Sequence, residues 1–131
     1  MKESEVTGII DIGSNTVRLS VYRVRDGAHC VIDQGRWPAR LSQRLTPEGH
    51  LPADAVNELA EVLLHFRRIC DKHGAKRIRA VATAAIRQAA NREEALRRLS
   101  DATGLTVELL SGEDEARFGS EAMLRTLSLT D

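Results

Sequence analysis

The sequence predicts an α/β fold: a five-stranded mixed sheet in the order β-β-β-α-β-α-β-α, with helices packed on it. Three observations carry that expectation. Two strand-like runs near the start flank a short polar knot, Asp11-Ile12-Gly13-Ser14-Asn15-Thr16, and an Asp26-Gly27 turn follows the second run. A long amphipathic helical pattern then separates the third strand-like run from the fourth. A helix between two strands implies a crossover, and a crossover implies parallel pairing.

Each element has a local reason. Residues 6–12 are rich in β-branched side chains and read as a buried strand. Val17, Leu19 and Val21 alternate with Arg18, Ser20 and Tyr22, the pattern of a half-buried strand. Asp26-Gly27 suits a two-residue hairpin turn, which leads into a third strand over residues 28–34. Residues 36–50 are irregular, with Pro38, Pro47 and Gly49. Val56, Leu59, Leu63, Phe66, Ile69 and Cys70 fall on one helical face, with Pro52 near the start and Gly74 past the end. Residues 77–82 form a short strand. Asn91-Arg92-Glu93-Glu94 resembles a capping box that opens a second helix, which Gly104 ends. Residues 105–110 form the next strand. Ser111-Gly112-Glu113-Asp114 is another capping pattern and opens a third helix through about residue 126.

Bulk composition narrows the function. The chain has 131 residues, 42% of them hydrophobic and 29% charged, so one globular domain with a core is expected over residues 1–131. The formal net charge is zero and aromatics are 3%, so neither a global positive field nor stacking platforms favour DNA or RNA. Any anion site must come from local arrangement. Cys30 and Cys70 form no C-x-x-C motif and read as two reduced, buried thiols. The polar start Met1-Lys2-Glu3-Ser4-Glu5 is unlike a signal peptide, and no apolar run nears the roughly 20 residues of a membrane span. A cytoplasmic location with no membrane partner is the expectation.

Three stretches could carry chemistry. The opening knot joins strand to strand, which excludes a Walker loop. Successive N–H groups in such a turn can form an anion nest, and Gly13 lets a phosphate approach the backbone. Ser14, Asn15 and Thr16 add donors. Asp11 would repel phosphate directly and makes sense as a ligand for Mg²⁺ or its water. The same residues also suit an ordinary polar hairpin. In Val81-Ala82-Thr83-Ala84-Ala85-Ile86-Arg87 the small residues permit close approach, and Arg87 could fork onto a phosphate; a solvated arginine at a helix start is the alternative. In the third stretch, Glu113, Asp114 and Glu115 crowd a helix start, where acids complement the dipole. Glu115 shares a helical face with Phe118, Gly119 and Ala122, and a glutamate on a buried face could act as a general base.

Together, "DIGSNTVRL", "VATAAIRQAAN" and "LSGEDEARFGSEA" resemble the N-terminal lobe of the exopolyphosphatase and guanosine pentaphosphate phosphatase (Ppx/GppA) family. That family belongs to the actin, Hsp70 and sugar kinase superfamily, so the resemblance implies a ribonuclease H-like (actin-like ATPase) lobe. It covers essentially the whole chain.

The resemblance implies roles for matched positions. Asp11, Gly13, Ser14, Asn15 and Thr16 would form the first phosphate loop, with Asp11 toward Mg²⁺, and Arg18 would meet phosphates. Thr83 would lie with Arg87 in the phosphate site, Arg87 gripping the substrate near the scissile bond. Glu115 would be the catalytic base, with Asp114 a mild departure from the S-G-x-E-E-A-R pattern. The substrate would be inorganic polyphosphate or guanosine pentaphosphate. Many relatives carry R-L-G-x-G-L where this chain has Arg40-Leu41-Ser42-Gln43-Arg44-Leu45, with neither glycine. The family's second lobe opens with D-[IL]-G-G-G-S-T-E, a motif these residues lack. The lobe alone is therefore expected to be inactive, and a homodimer is conceivable over the apolar surface a partner lobe would cover. The alternatives are a nucleotide-binding, kinase-like lobe of the same superfamily and a non-catalytic sensor.

Overall fold

β-Branched residues dominate Glu5–Ile12, which forms strand β1 in the computed structural model; the structure describes residues 4–111. Strands β2 (Val17–Arg25) and β3 (Ala28–Trp37) complete an antiparallel meander. Asp26 and Gly27 both take positive φ, 50° and 80°, as the tight turn between right-twisted strands requires. A single helical turn, α1 (Leu41–Arg44), precedes the long helix α2 (Ala53–Lys72). Then follow β4 (Arg77–Ala82), a short α3 (Ala84–Gln88), α4 (Arg92–Thr103) and β5 (Val107–Leu109). The sheet order is β3-β2-β1-β4-β5, with β4 parallel to β1 and β5 parallel to β4. The expected mixed five-stranded sheet is thus present.

The period of two along β1 sorts side chains onto two faces. Ile10 and Ile12, with Val17, Leu19 and Val21 of β2, join the main core, which includes Leu59, Leu63 and Phe66 of α2 and Leu99 of α4. Each such fully buried side chain contributes about 1.5–3 kcal/mol. Phe66 lies so close to β3 that a Cβ at Gly35 would sit 2.9 Å from its ring. Cys70 presses on Gly8 of β1 in the same way. The other face is not simply solvated. Ile9, Tyr22 and Val81 form a second buried cluster there, and Tyr22 is 3% exposed although its alternation with Val21 suggested an outward position.

Other departures have local causes. β3 runs to Trp37, three residues past the expected end, because its last residues pair with the start of β2 (Trp37↔Val17). The segment read as irregular contains α1, and α3 adds a turn after β4. Asn91 does not cap α4 with its side chain. It accepts the Leu51 N–H on Oδ1 at 2.8 Å and donates Nδ2–H to the Leu51 carbonyl at 2.9 Å, binding the approach to α2 onto the start of α4. Gly104 ends α4 with φ 73°, as expected. Cys30 corrects the reading of two buried thiols: it is exposed on the edge strand, and only Cys70 is buried. The third helix expected after Gly112 lies outside the described residues.

Candidate phosphate site at the ends of the parallel strands

Strand register brings the sequence motifs to one edge. Ile12 pairs with Ala82, and Ala82 with Leu109, so β1, β4 and β5 end in a common row. Two hydrogen bonds continue that row past the strands: Thr83 N–H to Ile12 O at 3.1 Å, and Leu110 N–H to Ala82 O at 2.9 Å. The knot after β1, the small-residue stretch after β4 and Leu110 and Ser111 after β5 therefore leave the sheet side by side. The crevice outside the carboxyl ends of parallel strands is where open α/β sheets bind ligands.

The knot is a four-residue loop, closed by Gly13 N–H donating to Thr16 O at 3.0 Å. A Cβ at Gly13 would come within 2.9 Å of that carbonyl, so the closure requires glycine. Two more of the loop's carbonyls, those of Ser14 and Asn15, are also committed. Arg40 N–H donates to Asn15 O at 2.9 Å, and Ser42 N–H to Ser14 O at 3.0 Å. Arg40 adopts the left-handed conformation, φ 52°, to start α1 in that position. By contrast, none of the N–H groups of Ser14, Asn15 and Thr16 donates to a backbone carbonyl among the described residues. Held carbonyls beside successive N–H groups without a backbone acceptor suit an anion nest.

Charged groups flank the loop. Asp11 pairs across the sheet with Arg18 of β2 on one side and Val81 of β4 on the other, and its Oδ1 is withdrawn from solvent. Arg18 is exposed. Arg87 stands in the last turn of α3, half-buried, with its N–H on Thr83 O at 3.0 Å. Its Nη1 donates to Leu110 O at 2.7 Å, so it holds the residue just before Ser111. It is neither at a helix start nor simply solvated. Thr83 is buried, and its hydroxyl donates to Ile12 O at 3.4 Å. To donate that proton to a ligand it must give up this long bond, while its backbone N–H still holds Ile12 O. Asp11, Gly13, Ser14, Asn15, Thr16, Arg18, Thr83 and Arg87 thus share one edge, while Glu115 lies outside the described residues.

Comparison with known proteins gives this edge a context. The description of the Ppx/GppA phosphatase family matches residues 20–131. The chain belongs to the Ppx/GppA phosphatase family. It is similar to exopolyphosphatase 1 of Mycobacterium tuberculosis H37Rv, 32% identical over 119 residues that cover 90% of this chain and 35% of that protein. An uncharacterized protein of Streptomyces coelicolor is 38% identical over 110 residues, 84% of this chain and 33% of that protein. The crystal structure of the Aquifex aeolicus Ppx/GppA family member superposes with a TM-score of 0.84 at 33% identity, over 96% of this chain and 41% of that one. The chain spans about a third of the length of these curated relatives. As a Ppx/GppA domain it carries the actin-like ATPase fold, in agreement with its sheet order.

Within this Ppx/GppA domain, sequence reasoning did not foresee the clamp formed by Arg40 and Ser42. The one available signal was that Arg40-Leu41-Ser42-Gln43-Arg44-Leu45 departs from R-L-G-x-G-L. The structure gives two of the changed residues partners: Ser42 Oγ lies 3.1 Å from Asn15 Oδ1, and Arg44 pairs with Glu58 and, at 3.8 Å, with Asp54 of α2. Among the described residues, no helix is long and apolar enough to cross a membrane.

Proposed function

We propose that the protein carrying this chain is a cytoplasmic phosphohydrolase that removes the terminal phosphate of inorganic polyphosphate or guanosine pentaphosphate by water attack. The observation that carries this reading is the Gly13–Thr16 loop, with the carbonyls of Ser14, Asn15 and Thr16 held and the N–H groups of the same three residues given to no backbone carbonyl among the described residues, at the sheet edge shared with Arg18 and Arg87. The name of the M. tuberculosis relative, exopolyphosphatase 1, supports the substrate class.

In this reading the loop N–H groups and the side chains of Ser14, Asn15 and Thr16 hold phosphate oxygens in place. Arg18 and Arg87 offset their charge, and Thr83 keeps the ends of β1 and β4 together under the loop. Glu115 orients the attacking water and takes its proton. Arg87 holds Leu110, five residues before Glu115 in sequence, so it links the grip on the substrate to the segment bearing the base. Phosphoanhydride cleavage needs this kind of positioning and charge stabilisation more than covalent help. The facing wall of the cleft would come from a second lobe, for which the greater length of the relatives leaves room.

The residues present fit Mg²⁺. No group of three or more His, Cys, Asp or Glu side chains suited to a metal occurs among the described residues. In this reading Asp11 would supply one carboxylate beside the phosphate loop. Mg²⁺ commonly binds through one or two carboxylates together with substrate phosphates and waters. When bound, it supplies further neutralisation of phosphate oxygens.

The test is phosphate release by the full-length protein from polyphosphate and from guanosine pentaphosphate, with Mg²⁺, comparing wild type with Glu115→Gln. Loss of a general base should lower the rate roughly 10²–10⁴-fold with substrate binding retained. Unchanged turnover would remove Glu115 from the chemistry.

A further inference from the structure

We infer that Arg36 is a second phosphate contact, extending the anion site from the Gly13–Thr16 loop to the edge strand β3 and fitting it to ligands with consecutive phosphates. This rests on the reading of that loop as a phosphate site.

The register carries the inference. Asp11 of β1 pairs with Arg18 of β2, and Arg18 with Arg36 of β3. Directly opposed residues point to the same face of a sheet, with Cβ atoms about 5 Å apart. Asp11, Arg18 and Arg36 therefore form one row, on the face opposite α2. The irregularity between β2 and β3 lies further along, at Val21/Tyr22, and leaves this row intact.

The row places two guanidinium groups side by side with one carboxylate at its end. Like charges directly opposite destabilise a strand pair. Several arginines elsewhere have acidic or carbonyl partners: Arg79 holds Glu108 at 2.9 Å, Arg44 pairs with Glu58, and Arg67 donates to the Thr103 carbonyl. Among the described residues neither Arg18 nor Arg36 enters an ion pair, and both are exposed. An anion lying across β2 and β3 would relieve the repulsion and bind both forks.

Position then selects the ligand. Adjacent strands lie about 4.8 Å apart, so β3 is roughly 10 Å from β1, where the loop begins. A single phosphate seated on the loop N–H groups has no need of Arg36. A chain of phosphates that starts on the loop and runs over Arg18 meets Arg36 next.

The experiment measures binding of inorganic phosphate and of tripolyphosphate to the full-length protein by calorimetry. Wild type is compared with Arg36→Ala and Arg36→Lys, with Mg²⁺ held constant. Because Arg36 is exposed, neither change threatens the core. Arg36→Ala should weaken tripolyphosphate roughly 10-fold or more, the size of one charge-assisted hydrogen bond. It should change phosphate affinity by less than about two-fold, since that ligand stays on the loop. Arg36→Lys should recover part of the loss, because it keeps the charge without the fork. Wild-type binding of both ligands with no effect of Arg36→Ala on tripolyphosphate, or an equal loss for both, overturns the assignment of Arg36 alone. A wild type that binds neither ligand overturns the loop reading and this extension with it.

Discussion

Ser42 donates its hydroxyl proton to Asn15 Oδ1 across 3.1 Å. The bond turns the acceptor side of the Asn15 amide toward α1 and leaves Nδ2, the donor side, for the loop's outer surface. Ser42 also donates its N–H to Ser14 O, so one residue steers both a side chain and a carbonyl of the loop. Ser42→Ala should keep the backbone bond and lose the orienting one. We expect phosphate affinity to fall about 2–10-fold, the worth of one neutral hydrogen bond. Ser42→Thr should restore it. The thermal midpoint should barely move in either variant, because the bond is exposed. Calorimetry and a melting curve on the same samples separate the effects.

Gly13 is the position where loop geometry and substitution conflict most directly. In Gly13→Ala the new methyl would meet the Thr16 carbonyl at 2.9 Å, and that carbonyl is backbone. The loop must open to accommodate it, at a cost of about 1–3 kcal/mol. The expected result is a melting midpoint several degrees lower together with loss of phosphate binding. Unaltered phosphate binding in a folded Gly13→Ala protein would show that this loop geometry is not what the ligand recognises.

The far end of α2 makes a separate, pH-dependent link to the sheet. His73 Nε2 lies 2.8 Å from Asp33 Oδ2 on β3, and Asp33 Oδ1 accepts the Gln34 N–H at 2.8 Å. These bonds, His73 first, hold the Asp33 carboxyl below its ordinary value of 3.8, with the Lys72 charge adding to them. A carboxyl whose pKa falls on folding binds fewer protons folded than unfolded. Its stabilisation is therefore complete well above its unfolded pKa and is lost as pH falls through the depressed one. Asp33→Asn should flatten the acid limb of the stability curve, from about pH 5 downward. Thermal melts of wild type and variant across that limb measure it.

The pattern of what could be read in advance follows from range. The meander was legible because β-branched alternation and Asp26-Gly27 are local signals, and Asp26 and Gly27 indeed take the required positive φ. Helix α2 was legible because Val56, Leu59, Leu63 and Phe66 share one face, and all four are buried. Asn91 was misread because its side chain found Leu51, forty residues away, in place of its own helix. Tyr22 was misread because burial of the second face depends on Ile9 and Val81 of other strands. The site divides the same way. Gly13, Ser14, Asn15 and Thr16 announce a turn by themselves. The alignment of Arg36 with Arg18 exists only once register is set.

The common row Ile12–Ala82–Leu109 also fixes the scale of the edge it supports. Strand registers shift in steps of whole residues, about 3.3 Å each, and an odd step turns every side chain to the opposite face. For β4, a shift of one against β1 would send Val81 into the helix layer and Ala80 out of it. A tolerated shift is therefore an even one, and it would move Thr83 and Arg87 by nearly 7 Å relative to the loop. The sheet thus behaves as a ruler with coarse gradations. Finer adjustment of the distance between loop and arginine has to be made in the few residues after each strand, where a substitution such as that at Ser42 can act without disturbing the pairing beneath.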